Sequence, residues 1–181
     1  MALREDYEKV GQWLFRFRSY VPLVMLPVYL IVLYIKRNTL DNFTNDYDWT
    51  LLCFFVGSLG MLIRTFAVGF SAPKTSGRNV KTQVANSINK TGIYSLIRHP
   101  LYLGNSLIWL GLAMRLKLWW LVLLVMTYYW MYYEKIMFTE EEFLRKKFGS
   151  EYENWANITP ALIPDFKHWV KPEGKFSLKK I

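Results

Sequence analysis

The sequence predicts an all-α fold: a polytopic transmembrane helical protein of about four spans, closing with a helical hairpin and a cytoplasmic helix that carries a Glu-Glu pair. Three observations predict it. Apolar residues make up 52 % and aromatic residues 18 % of the 181 positions, and they gather in long blocks. Blocks of about 20 mostly apolar residues are what a helix needs to cross a bilayer. Only Arg115-Leu116-Lys117 separates the last two blocks, which leaves room for nothing but a tight hairpin. The basic residues behind the net charge of +9 border the apolar blocks. That placement suits anionic lipid headgroups rather than nucleic acid.

Met1 to Arg18 is charged and amphipathic, and no cleavable signal peptide is expected. The first span runs from about Tyr20 to Ile35 and ends at Lys36-Arg37; Pro22 and Pro27 in its first half predict a kink or a late helix start. The second runs from about Trp49 to Phe70, interrupted by Arg64. An arginine there is costly unless it snorkels, pairs, or serves a site. Cys53 in the same run reads as a small buried apolar residue, with no disulfide or cysteine zinc site available to the chain. The third span, Leu101 to Met114, is short at 14 residues, so it is expected to tilt or to begin before Pro100. The fourth runs from about Leu118 to Phe138.

Two segments flank these spans. Ser71 to Asn79 is turn-rich and carries Lys74 and Arg78; it reads as a solvated loop or as an anion-binding nest around Gly77. Val80, Val84 and Ile88 then recur at helical spacing, as in a short amphipathic helix on the membrane. Beyond Phe138 a helix continues towards Trp155, with Gly149 as an internal C-cap and with Glu141–Arg145 and Glu142–Lys146 spaced for i,i+4 pairs. Pro160, Pro164 and the lysine-rich end from Lys167 read as an irregular, mobile tail. The whole chain, 1–181, is one membrane-embedded domain: two spans in 1–70, a basic loop in 71–98, the hairpin and helix in 99–164, and the tail in 165–181.

Orientation follows from lysine and arginine placement. With four spans, eighteen of these residues fall on the side of the termini and central loop, and only Lys36, Arg37, Arg115 and Lys117 on the other. The termini and the central loop should therefore face the cytoplasm.

The chemistry-bearing residues cluster at the mouth of the hairpin. Arg98 supplies a planar cationic fork for a carboxylate or phosphate, and His99 a donor and an acceptor. Pro100 fits the first helical position, where helix amides face an incoming anion. Tyr102 stacks or donates, and Gly104 permits a close approach to the helix, by a ligand or by another helix. Glu140 and Glu141, returned to the same face by the hairpin, suit an amino group and hydroxyls, or the orientation of Arg98.

The pattern Gly92-x-Tyr94-x-x-x-Arg98-His99-Pro100-x-Tyr102-x-Gly104, followed by Glu140-Glu141-x-x-Leu144-x-x-x-Phe148-Gly149-x-x-Tyr152, resembles the isoprenylcysteine carboxyl methyltransferase and phospholipid methyltransferase superfamily. The likeness covers about Gly92 to Pro164. It implies an integral membrane enzyme that moves a methyl group from S-adenosylmethionine to a lipid or lipidated acceptor drawn from the bilayer, with no metal and no obligate protein partner. By position, Tyr94, His99, Leu101, Tyr102, Gly104 and Glu140 would hold the cofactor, while Arg98 and Glu141 would act at the acceptor. Lys74, Arg78 and Arg64 would favour an anionic acceptor, a lipid phosphate such as that of lipid A or a carboxylate as in prenylcysteine. A multi-pass protein of the bacterial inner membrane, with its site on the cytoplasmic side, is the matching location. Two other classes compete: an NADPH-dependent membrane reductase, whose related segment has Asn before the proline, and a non-catalytic lipid-binding protein, against which the retained interfacial charges argue.

Overall fold

The computed structural model describes residues 3–18, 20–36, 46–72 and 85–180, and among them it is all helix, turn and loop. Helix α1 spans Leu3–Arg16, α2 Met25–Lys36, α3 Tyr47–Gly69, α4 Pro100–Met114, α5 Trp119–Phe148 and α6 Ser150–Ile158. A 3-10 turn at Val21–Val24 precedes α2, so the α-helix of the first apolar run does start late, just ahead of Pro27. Helix α3 is long and apolar enough to cross a membrane, while α2 and α4 are shorter apolar helices. Its outer face leaves Leu51, Phe54, Phe55 and Leu62 exposed, an arrangement suited to lipid rather than to water.

The tightest packing joins α3 to α4, and small residues make it possible. A Cβ at Gly60 would collide with the Gly104 carbonyl. At Gly111 a Cβ would stand 2.7 Å from the Cys53 carbonyl and 2.9 Å from the Gly57 amide. Glycine at these contacts lets two apolar helices approach backbone to backbone. Helices α4 and α5 form the hairpin, whose tip places Lys117 at a positive φ of 53°. The tip is tied to the start of α3: Trp49 Nε1 donates to the Met114 carbonyl at 2.9 Å, and Lys117 pairs with Asp46, which also caps α3 through the Trp49 amide. One end of the bundle thus holds the hairpin tip, and the other holds the residues singled out above.

Two apolar clusters fill the interior. Ala113, Leu116, Leu121 and Val125 pack under Tyr29, Val32 and Leu33 of α2. Nearer the other end, Tyr102, Tyr129, Tyr132, Tyr133 and Ile136 pack with Phe15, which α1 delivers. Tyr132 Oη donates to the Leu14 carbonyl at 3.0 Å and so anchors α1 on α5. Buried tyrosines there find acceptors for their hydroxyls, as low-dielectric surroundings require.

Three expectations are corrected. Residues 85–91 are non-helical, so no amphipathic helix runs through Ile88; Val80 and Val84 lie outside the described residues. Arg145 pairs with Glu142 at i,i+3 and with Glu153 at 3.7 Å, while Glu141 turns inward. The segment after Pro160 is no free tail. Its backbone is bonded to the turn before α4: the amides of Arg98 and His99 donate to the carbonyls of Pro160 and Ala161 at 2.9 and 3.1 Å, and the Asp165 and Gly92 amides to Leu96 and Val170 carbonyls at 3.0 and 2.8 Å. Phe176 lies edge-on to Phe70 at 5.2 Å, against a face of α3 that Gly69 leaves open. Backbone donors satisfied by another segment, plus one aromatic anchor, tie this loop segment down despite its polar composition.

Candidate active site

The site is built where α4 begins and where α5 leaves the apolar layer. Pro100 opens α4, and His99 is its N-cap. The tail's carbonyls hold the backbone at Arg98 and His99, which sets the directions of both side chains. Helix α5 runs unbroken for 30 residues, far enough past the apolar stretch to bring Glu140 and Glu141 back to that N-terminus.

Glu141 is the hub. Its Oε1 accepts from His99 Nε2 at 2.9 Å and stands 3.0 Å from Arg98 Nε as an ion pair. Arg98 Nη1 donates to the Ala156 carbonyl on α6 at 2.7 Å, which fixes the plane of the guanidinium. Burial pushes the Glu141 carboxyl up, but the His99 hydrogen bond and the charge of Arg98 outweigh it and hold the group below its ordinary range. Tyr152 is buried under this cluster (1 % exposed); burial and the Glu141 charge raise its phenol.

Glu140 has the opposite balance. Tyr102 Oη donates to its Oε1 at 2.7 Å, His99 Nδ1 lies 3.9 Å from its Oε2, and Arg18 Nη1 lies 3.8 Å from its Oε1. Desolvation dominates these attractions and raises its carboxyl above the ordinary value. Two adjacent carboxylates are thus driven apart, one firmly ionised and one reluctant, as in sites that use two carboxylates differently. Tyr94 stands close enough that burial, then the charge of Glu140, raise its phenol.

The remaining expected residues distribute as follows. Leu101 occupies the first turn of α4, half-buried. Gly104 faces α3, where a Cβ would come within 2.6 Å of Arg64 Cγ. Arg64 crosses to α4 and donates to Asn105 Oδ1, a pairing rather than a reach towards the interface. Lys74 and Arg78 lie outside the described residues. Two residues escape sequence reasoning: Arg18 and Asn105. Arg18 follows an amphipathic helix much like other surface helices, and nothing local marks it. Asn105, a polar residue beside Ser106 inside an apolar block, was a readable signal.

Residues 49–151 match the phospholipid methyltransferase family. The chain belongs to that family. The matched segment begins in α3 and ends in α6, so it contains His99, Arg98, Tyr102 and both glutamates. The chain is also 30 % identical over 126 residues to the protein-S-isoprenylcysteine O-methyltransferase of Schizosaccharomyces pombe, covering 61 % of this chain and 53 % of that protein. It is 36 % identical over 121 residues to the cobalt-zinc-cadmium resistance protein CzcN of Cupriavidus metallidurans, covering 66 % of this chain and 53 % of that protein. The chain spans about half the length of these curated relatives. For this member of the phospholipid methyltransferase family, the superfamily resemblance carried by Arg98-His99-Pro100 and Glu140-Glu141 is therefore independently supported.

Proposed function

We propose that this protein is an integral membrane methyltransferase of about four spans that takes a methyl group from S-adenosylmethionine and places it on an oxygen of an anionic lipid or lipidated acceptor. The supporting observation is the convergence of Arg98, His99 and Tyr102 at one helix start with Glu140 and Glu141 from the returning helix. The donor set fits the cofactor: carboxylates suit its hydroxyls and ammonium, and a buried guanidinium nitrogen of Arg18 has no hydrogen-bond partner among the described residues. Glu140 with Tyr102, His99 and Tyr94 would hold it, and Leu101 would line the pocket.

When bound, S-adenosylmethionine supplies a methyl group on a sulfonium sulfur, already activated for transfer. What the protein must add is alignment and exclusion of water. Arg98, its plane set by Glu141 and Ala156, orients the anionic oxygen of the acceptor. An ionised phosphate or carboxylate needs no general base, which agrees with a site whose histidine is engaged by Glu141. Arg64, with Lys74 and Arg78 of the basic loop by sequence alone, adds positive charge that favours an anionic acceptor, and the cytoplasmic side is the matching orientation. The S. pombe relative is named for a prenylated-cysteine acceptor; a lipid phosphate is the other member of the same class.

The test is transfer of radiolabelled methyl from S-adenosylmethionine into total lipid by membranes with and without the protein. Label that depends on Arg98 and Glu141 supports the reading. Methanol released by mild alkali identifies a carboxyl ester, and label retained on phosphorus-containing lipid identifies a phosphate ester. No incorporation, together with no cofactor binding in detergent, overturns it.

A further inference from the structure

Arg18 sits where α1 ends against α5, in a part of the chain outside the segment 49–151 that matches the family. Its guanidinium carbon lies 4.1 Å from the centre of the Phe15 ring, and Nη1 faces Glu140 at 3.8 Å. Nη2 is buried and has no hydrogen-bond partner among the described residues, and the side chain as a whole is only 12 % exposed. Buried donors in native proteins are nearly always satisfied, and an orphan calls for an acceptor. Glu140 does not supply it, because its nearest approach is to the other nitrogen, Nη1, and at 3.8 Å. A guanidinium fork held over a ring and beside a carboxylate is rigid, so its free edge selects a planar anion.

Resting on the function proposed above, we infer that Arg18 is a binding residue for the α-carboxylate of the cofactor's methionine portion, with Glu140 facing the α-ammonium. An arginine and a carboxylate 3.8 Å apart present opposite charges to the two ends of an amino-acid zwitterion. The segment that follows the amphipathic helix α1 thus carries a cation to the glutamate side of the hairpin. Anchoring is shared between the Phe15 ring, which packs in the tyrosine cluster, and the Tyr132 bond to Leu14. Both place Arg18 through contacts that a substitution at position 18 leaves standing.

The experiment measures calorimetric binding of S-adenosylhomocysteine and of 5′-methylthioadenosine, which lacks the amino-acid portion, to the full chain in detergent. Arg18→Gln should weaken S-adenosylhomocysteine by roughly ten- to hundredfold, the scale of a lost charge-assisted hydrogen bond, and leave methylthioadenosine unchanged. Arg18→Lys, which keeps the charge without the fork, should recover part of the loss. Unchanged S-adenosylhomocysteine affinity in Arg18→Gln overturns the assignment. So does an equal loss for both ligands, the mark of a general disturbance of the pocket, or a rise in acceptor KM alone, which would assign the nitrogen to the acceptor. Failure of the unaltered protein to bind either ligand instead sinks the methyltransferase reading itself, so the two failures are distinguishable.

Discussion

Glu141 Oε1 receives His99 Nε2 at 2.9 Å across 42 residues of sequence, and this bond joins the start of α4 to the C-terminal part of α5. The same oxygen anchors Arg98. One carboxylate therefore orients the histidine and the arginine together, and charge-assisted contacts of this kind are among the stronger side-chain interactions.

Glu141→Gln should accordingly lower methyl transfer by roughly a hundredfold and stability by about 1–3 kcal/mol. Arg98→Lys should also lose activity, since an ammonium does not reproduce the fork to Glu141 and Ala156. Transfer assays on purified protein, with circular dichroism at 222 nm to verify helix content, check both. Wild-type rates in Glu141→Gln would remove the hub from the mechanism.

The two glutamates should respond to pH in opposite senses. Glu141 has a depressed carboxyl in the folded state, so the stability it contributes is present above the unfolded value of about 4.5 and fades as pH falls through the folded value. Glu140 is raised; its contribution is complete below the unfolded value and fades as pH rises through the folded one. Melting in detergent between pH 3.5 and 7 should show the gap between wild type and Glu141→Gln closing in acid. At pH 7 Glu140→Gln, which keeps an acceptor for Tyr102 while removing a desolvated charge, should melt at or above the wild type without cofactor.

Helix α3 offers a paired control. Gly60→Ala would force a methyl into the Gly104 carbonyl and should cost about 1–3 kcal/mol. Gly57→Ala meets nothing within 4 Å and should be neutral or slightly stabilising, since alanine is the better helix former. Thermal melting of both variants reads the difference directly.

Removing residues 169–181 should release the turn that carries the site. The Gly92 amide donates to the Val170 carbonyl at 2.8 Å, the Val170 amide to Ser95 Oγ at 2.9 Å, and the Ser177 amide to the Gly69 carbonyl at 3.1 Å. Hydrogen exchange at the Gly92 amide should speed up in the truncated chain, while the hairpin-tip amide of Lys117 keeps its protection. Unchanged exchange at Gly92 would show that the tail contributes no restraint.

Much of the architecture was legible because it is locally encoded. Long apolar blocks, Pro100 at a helix start, Gly149 at a helix end and the four-residue link between α4 and α5 each act over a short stretch of chain. The convergence of Arg98-His99 with Glu140-Glu141 was legible for the same reason, since a tight hairpin leaves the returning helix nowhere else to go. Pairing between distant elements was not. The i,i+4 spacing of Glu141 and Arg145 is a sound local rule, yet the rotation of α5 against α4 turns Glu141 inward and hands Arg145 to Glu142 and Glu153. Proline and lysine made the tail look free, and only the cross-bonds to residues 92–98 reveal it as a strap.

By itself, then, the sequence determined the helices, the hairpin and the end of the bundle at which charge gathers, because hydrophobic period, caps and turn length are properties of neighbouring residues. The tertiary structure alone decided that Glu141 rather than Glu140 holds His99 and Arg98, that Gly104 meets α3, and that Arg18 arrives from α1. Those outcomes depend on helix rotation and on contacts between segments far apart in the chain, where a shift of one residue would send a side chain to another face.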